Sequence, residues 1–476
     1  MKNFSKSSAS LFMLAALASA FSAARAAPLP RLRVSDNGHY LVRQDGSPFL
    51  YLGDTAWGLF RMTREDIDLY LKDRVAKKFT VIQAVAVGMG GSRPNAYGQT
   101  AFIGDDASRP NEAYFQQVDY AVNQAESLGL YVAMVAMWSK EFVTAEKSVL
   151  DKTSARNYGL FLGRRYRDKP IIWILGGDWF ADGVEDIWRS MAAGLNQGDG
   201  GTHLITYHPK SPRSSSQWFQ KDAWLNFNML QSGHTSLNRN YDLVAEDWAR
   251  TPAKPVVDGE GGYEGIANAI VGKGTIEAAD VRRIAYGALF AGAAGYTYGG
   301  SGVWSYSNAN GQRAGAPSPT PSGAPKRAPG APAQPFPKAL QLEGATEMQH
   351  LRTLLESRPM AIRIPDQWLI ANDYMGTVDR IQACRGSDGS YALIYTATGA
   401  NLKIRVVDNL YPKLTGKTIK AYWYDPRLGT SRAIGELQKT GAFMDFTPPS
   451  SGRGNDWVLV LDDAAKNFPA PGRSSK

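Results

Sequence analysis

One cysteine, Cys384, stands in 476 residues, which excludes an intramolecular disulfide and leaves stability to an apolar core. Histidine is also scarce, five residues in all, and none sits in an H-E-x-x-H or H-x-x-E-H spacing, so no metal and no cofactor is expected. After the N-terminus no apolar run approaches the ~20 residues of a membrane-spanning helix. Lys and Arg exceed Asp and Glu for a formal charge of +9, but the excess is dispersed. Without a basic stripe a nucleic-acid partner is excluded, while a spread basic excess suits an acidic polysaccharide or plain solubility.

What is present begins with an export signature. Lys2 and Lys6 precede the apolar LFMLAALASAF, and small residues lead to Ala24-Arg25-Ala26. This pattern reads as a signal peptide over residues 1–26, with a secreted or periplasmic mature protein and no membrane span after cleavage. The remaining length allows a (β/α)8 barrel, ~250 residues, and one smaller domain.

Short apolar runs alternate with amphipathic stretches through the first two thirds of the chain, as a parallel sheet with helical crossovers requires. Strands are expected at 48–55, 80–87, 131–138, 171–178, 203–208, 224–233, 255–262 and 295–300, and helices at 64–78, 111–129 and 154–168. Eight nearly continuous apolar strands make a TIM barrel. Ahead of it, residues 31–48 carry turn signals at Asp36-Asn37-Gly38 and Asp45-Gly46 and read as a β-hairpin plugging the barrel bottom. The Pro/Gly/Ala/Ser tract at about 308–337 is too poor in large apolar groups to fold and reads as a disordered insertion after the eighth strand. Residues 338–358 supply the closing helix, so the barrel domain spans 27–358. From 359 to 463 the apolar period drops to two, between Gly, Asp and Pro turns, giving an antiparallel β-sandwich. Residues 464–476 read as a disordered tail.

Barrel enzymes take their reacting groups from the C-terminal ends of strands. The polar and aromatic residues there are Asp54, Trp57, Trp138, Asp178, His208, Gln231, His234, Glu260, Tyr263, Tyr298 and Trp304. Asp178 closes IIWILGGD and Glu260 closes PVVDGE. Two carboxylates facing one cavity are the minimum machinery for cleaving a glycosidic bond. Asp178 is assigned general acid/base and Glu260 nucleophile, the glycines beside each leaving room for a sugar; a helix N-cap at Asp178 is the competing reading. Asp258, two residues before Glu260, is expected to point inward as well and competes with it, with a buried partner as the other reading. Asp54 is open between a cap and a hydroxyl ligand. Trp57, Trp138 and Trp304 offer flat faces for stacking on sugar C–H groups, and His208, Gln231, His234, Tyr263 and Tyr298 complete the substrate-binding set.

Gly53-Asp54-Thr55-Ala56-Trp57, Gly176-Gly177-Asp178, Tyr207-His208-Pro209, Gln231-Ser232-Gly233-His234, Asp258-Gly259-Glu260 and Tyr296-x-Tyr298-Gly299 together resemble the apiosidase-like glycoside hydrolases, family 140, over most of residues 31–460. The resemblance implies a (β/α)8 barrel with its acid/base on strand four, Asp178, and its nucleophile on strand seven, Glu260. It also implies a pentofuranosidase acting on plant cell-wall oligo- or polysaccharide, apiose-linked side chains of pectin, and a C-terminal module named for collagen binding. An arabinofuranosidase on the same barrel, and a non-catalytic glycan- or collagen-binding protein, stay open as alternatives.

Overall fold

The computed structural model describes residues 28–89, 93–268, 274–306, 335–372, 378–406 and 414–473. The signal-peptide reading and nearly all of the Pro-rich tract lie outside them. The end of that tract differs from expectation: helix Phe336–Ala339 already begins there, because Phe336 is buried and meets the Tyr306 ring at 5.4 Å.

The barrel strands are Tyr51–Thr55 (β1), Val81–Val85 (β2), Tyr131–Val135 (β3), Ile171–Trp179 (β4), Ile205–Pro209 (β5), Asn228–Gln231 (β6), Val256–Glu260 (β7) and Gly295–Tyr298 (β8). Their helices are Arg64–Ala76 (α1), Glu112–Ser127 (α2), Lys152–Arg165 (α3), Glu185–Asp199 (α4), the single turn Ser216–Phe219 (α5), Asn240–Trp248 (α6), Ala278–Phe290 (α7) and Glu343–Glu356 (α8). Local chemistry sets the starts of several. Thr63 accepts from the Asp66 amide to cap α1, Asn111 caps α2, and Asp151 with Ser154 forms a capping box on α3, each satisfying amides that a helix start leaves open.

Hydrogen bonding runs parallel from β5 through β4, β3, β2, β1, β8 and β7 to β6, with Arg213–Ser214 added antiparallel beyond β6. Between β5 and β6 the ring is bridged by the Asn226 amide to Ile205 O at 2.9 Å and by Thr206 Oγ1 to Phe227 O at 2.7 Å. Alternation divides each strand. Tyr51, Val81, Val85, Ala133, Val135, Ile172, Ile174, Met229 and Val257 fill the interior, while Ile82, Val132, Met134, Trp173, Leu175 and Ile205 pack under the helices. The N-terminal plug gains a third strand. Pro48–Phe49 pairs with Leu41–Arg43, which pairs with Leu32–Val34, and Leu32, Leu41 and Phe49 join the interior cluster from below.

The C-terminal domain has a six-stranded antiparallel sheet in the order Arg363–Pro365 (β9), Ile381–Gly386 (β10), Tyr391–Thr396 (β11), Trp457–Asp463 (β16), Thr418–Asp425 (β13), Thr430–Gln438 (β14), and a two-stranded sheet of Leu402–Arg405 (β12) with Phe443–Phe446 (β15). The period of two gives each face its own core. Tyr391, Leu393, Tyr395, Val458 and Val460 pack on α7 and α8, whereas Ala392, Ile394, Leu459 and Leu461 face β12 and β15. Buried ion pairs lock the first contact: Arg282 with Glu347 and Asp456, and Arg358 with Asp462. Removing one partner from such a pair costs about 3–5 kcal/mol because the other charge is stranded in the interior. Residues 464–473, expected as part of a disordered tail, instead fold back on this domain. Phe468 packs edge-on to Tyr391 and under the Arg358 guanidinium, 5.0 Å from its ring centre, and the Gly472 amide reaches Ser357; an aromatic among polar residues supplied an anchor that composition did not reveal.

Candidate active site

Glu260 ends β7, is 6% exposed, and is gripped by two histidines, one on a strand and one on a loop. His208 Nε2, at the end of β5, lies 3.0 Å from Oε2, and His234 Nε2, beyond β6, lies 3.0 Å from Oε1. The His208 contact is in ion-pair range but poorly aligned for a hydrogen bond, whereas the His234 contact has hydrogen-bond geometry. The other nitrogen of His234 meets Gly261 O at 2.9 Å. The ring therefore meets an oxygen at each nitrogen and is held between Glu260 and the Gly261 carbonyl. Burial alone would raise the Glu260 carboxyl, but the two histidines outweigh it and hold the group well below the usual carboxylate range. Glu260 is therefore a dry, ionised carboxylate. Tyr263 packs against His234, ring centres 4.4 Å apart, and its phenol is pushed up by burial and then by the charge of Glu260.

Asp178 reaches the same histidine from the other side. Its amide faces His208 Nδ1 at 3.4 Å, which assigns the tautomer with the proton on Nε2, toward Glu260. One imidazole thus connects the strand-four and strand-seven acids. Asp178 adopts φ +50°, left-handed for a non-glycine residue, because β4 bulges there: Gly176 pairs with His208 and Trp179 with Pro209, leaving Gly177 and Asp178 unopposed. A bulge re-aims the side chains it carries, and this one sends the Asp178 carboxylate to the rim. Its Oδ2 meets Lys140 Nζ at 2.7 Å, with side-chain exposures of 26% and 49%. The N-cap alternative is not realised, since α4 starts at Glu185 with Val184 as its cap.

The glycines beside both acids have a different duty from the one expected. A Cβ on Gly177 would come within 2.5 Å of the Trp138 indole, and one on Gly259 within 2.6 Å of the Met229 side chain. They make room for protein packing around the acids rather than for a sugar.

Of the residues singled out by sequence, Asp178, Glu260, His208, His234, Tyr263, Trp57, Trp138, Gln231 and Trp304 gather at this mouth. Trp57 and Trp138 are 2% and 3% exposed and lie 5.6 and 5.7 Å from the His208 ring. They wall in the histidine and offer a sugar no open face, which corrects the stacking expectation for both. Gln231 is the cross-strand neighbour of Glu260, buried with Oε1 lacking a hydrogen-bond partner. Trp304 is partly exposed, 6.0 Å from Tyr263.

Asp54 and Tyr298 do not join them. Asp54 is fully buried on the outer face of β1, accepting from Arg74 Nε at 2.8 Å and Tyr70 OH at 2.5 Å, both on α1. Tyr298 also turns outward and donates to Glu264 Oε2 at 2.6 Å. Asp258 stays out as well, which overturns its reading as a competitor and leaves that of a buried partner. It points into the helix layer, where Ser232 Oγ and Asn240 Nδ2 donate to Oδ2 at 2.7 and 2.8 Å. The register shift between Leu230 and Gln231, where Asp258 pairs with Leu230 but Glu260 with Gln231, breaks the alternation that would have aimed both acids the same way.

Burial pushes the Asp258 carboxyl up to about 6 against the pull of Asn240 and Ser232. A folded-state value above the unfolded one means that Asp258 favours the fold when protonated, and that contribution is lost as pH rises through the window between them. Relative to the non-titrating Asp258→Asn variant, the wild type is expected to lose about 2–3 kcal/mol between pH 4 and pH 7. Urea unfolding of both proteins at the two pH values checks this; a constant difference would show that Asp258 does not titrate in that range.

Sequence reasoning missed Lys140 and Lys210 and grouped Trp179 with the core tryptophans. Lys210 Nζ sits 4.6 Å from the Trp179 ring centre, so the residue after Asp178 is an aromatic at the rim backed by a cation. Each of the three lies one or two residues beyond a position that was singled out, and widening the strand-end window would have found them. Among the described residues no group of three or more His, Cys, Asp or Glu is placed to hold a metal, and no helix is long and apolar enough to cross a membrane.

The apiosidase-like catalytic domain model matches residues 35–361, and the model described as "putative collagen-binding domain of a collagenase" matches 364–462. No curated protein matches. A solved glycoside hydrolase is 31% identical, with TM-score 0.80 over 92% of this chain and 98% of the other. A glycoside hydrolase family 5 crystal structure from Bacteroides vulgatus ATCC 8482 is 29% identical, with TM-score 0.82 over 94% and 97%. With the barrel, its mouth and these relatives in agreement, the chain belongs to the apiosidase-like family and is a glycoside hydrolase, with carbohydrate as its substrate.

Proposed function

We propose that the protein is exported and cleaves, with retention of configuration, a pentofuranosyl, apiose-like linkage in pectic plant cell-wall glycan, with Glu260 as nucleophile and Asp178 as acid/base. The observation that carries the roles is the shared His208, which faces the Glu260 carboxylate with one nitrogen and the Asp178 amide with the other. Glu260, kept charged and aligned by two histidines, attacks the anomeric carbon. Asp178, on the more exposed side, protonates the departing oxygen and then takes a proton from the water that releases the covalent sugar. This division of labour agrees with environment: the nucleophile is buried and ionised, while the group that exchanges protons with water stands at the rim. The Lys140 ammonium must leave Asp178 when that carboxyl carries the proton. Gln231 Oε1, a buried acceptor in need of a partner, suits a sugar hydroxyl, and Trp179 and Trp304 stand partly exposed at the mouth, in reach of the glycan. The linkage itself rests on the family, and the export on residues 1–26.

Incubation with rhamnogalacturonan II and chromatography of the products tests the reading. Free apiose is the expected product. Release of arabinose from arabinan-rich pectin, with none of apiose, would transfer the enzyme to the arabinofuranosidases.

A further inference from the structure

The sandwich face remote from its barrel contact carries a row of groups that the barrel's chemistry does not use. Segment 368–372 runs beside β12, with the Ala371 amide on Lys403 O and the Lys403 amide on Asn372 Oδ1, both at 2.8 Å. Strand β12 pairs with β15, Lys403 opposite Asp445 and Arg405 opposite Phe443. Alternation sends Leu402, Ile404 and Phe446 into the core and leaves Lys403, Arg405, Phe443 and Asp445 on the outer face. Trp368 is 58% exposed and Phe443 45%. The Arg405 guanidinium sits between them, 4.6 Å from the indole centre and 5.9 Å from the phenyl centre, while the Lys403 ammonium lies 5.2 Å from Phe443. Arg405 Nη1 also donates to the Trp368 and Ile370 carbonyls at 2.9 and 2.8 Å, so the guanidinium between the two rings is held in place by the backbone.

We propose that Trp368, Arg405, Phe443 and Lys403 form a non-catalytic binding strip for a carboxylate-bearing oligosaccharide. Isolated exposed apolar residues need no explanation, but two aromatics aligned across a small sheet with cations interleaved form a patch with a definite chemistry. Aromatic faces take the C–H faces of pyranose rings, and the interleaved ammonium and guanidinium groups take carboxylates. Two cations to the single carboxylate of Asp445 favour an acidic glycan over a neutral one. Because Arg405 is already anchored to the Trp368 and Ile370 carbonyls, binding a carboxylate there loses less side-chain entropy. The opposite face of the same domain is sealed against α7 and α8, so a glycan held on the strip stays tethered to the catalytic barrel and raises its local concentration. The inference uses only the family assignment and does not depend on which sugar the barrel removes.

Affinity electrophoresis of the full chain through gels containing polygalacturonate or hydroxyethylcellulose tests it, with fibrillar collagen as a solid-phase comparison. The wild type is expected to be retarded by polygalacturonate alone. Trp368→Ala and Lys403→Glu, both at exposed positions, are each expected to weaken that binding about tenfold, with hydrolysis of a small aryl glycoside and thermal midpoints unchanged. Unaltered retardation in both variants, equal retardation by the neutral glucan, or binding to collagen in place of the polyuronate would each overturn the proposal. If one variant misfolds, the other still decides the outcome.

Discussion

Glu260→Gln is expected to lower kcat by at least about 10^4-fold on every glycoside substrate, activated or not, because no covalent sugar can form without a carboxylate nucleophile. The substitution is nearly isosteric, and its local consequences can be traced. The amide oxygen can still accept from His234, but the NH2 group then faces the proton on His208 Nε2, so one of the two contacts of 3.0 Å turns repulsive. That strain is local to strand ends held by barrel hydrogen bonds, and a thermal midpoint within a few degrees of wild type is expected. The decisive comparison is kcat for wild type and variant on one aryl glycoside, with the midpoint measured on the same preparation. Retention of more than about a hundredth of wild-type kcat, beyond what a Glu260→Ala control shows, would remove Glu260 from the nucleophile role.

Asp178→Ala is expected to split by substrate. On the natural glycan the leaving oxygen needs a proton, and losing the acid costs about 10^2 to 10^4-fold. On an aryl glycoside with a good leaving group the first step proceeds without it, so the covalent intermediate accumulates and azide restores turnover as a glycosyl azide. The variant also releases Lys140 from its 2.7 Å pair, which leaves a cation near the leaving group and assists departure of a phenolate. Equal loss on both substrates with no azide rescue would show that the proton comes from elsewhere. Asp54 and Asp258 are poor replacements, since both face the helices. Glu141, whose carboxylate lies over Gly88 just past the end of β2, would then be the next residue to change.

The parts of this protein legible in the sequence are those governed by local periodicity. All eight barrel strands fall within the segments expected for them except for one-residue extensions at Trp179 and Pro209, because a strand buried on both faces must be apolar throughout and turn residues must bound it. The sandwich is visible where period two survives: in β12 Leu402 and Ile404 turn inward while Lys403 and Arg405 turn outward, whereas β11 and β16, packed between two cores, are apolar nearly throughout. The two acids at strand ends are legible by the same logic, as are His208 and His234, since barrel topology brings strand ends to one mouth.

Side-chain direction at the strand ends was decided only by the tertiary structure. Asp54 and Asp178 look alike in sequence, an aspartate closing an apolar run after glycine. One continues regular alternation, turns outward and pairs with Arg74 on α1, while the other sits on a bulge with φ +50° and reaches the rim. Asp258 and Glu260, two residues apart, should share a face, and a register shift against β6 separates them. Both outcomes depend on inter-strand pairing, a relation between segments tens of residues apart that no local period encodes. The sequence by itself determined the barrel, the sandwich and the strand-end positions where chemistry belongs, because burial on known faces dictates residue type. Which of the acids reach the mouth, which histidine lies between them and which cation holds Asp178 were settled by bulges and loop packing, because only the folded ring of strands sets the register that aims each side chain.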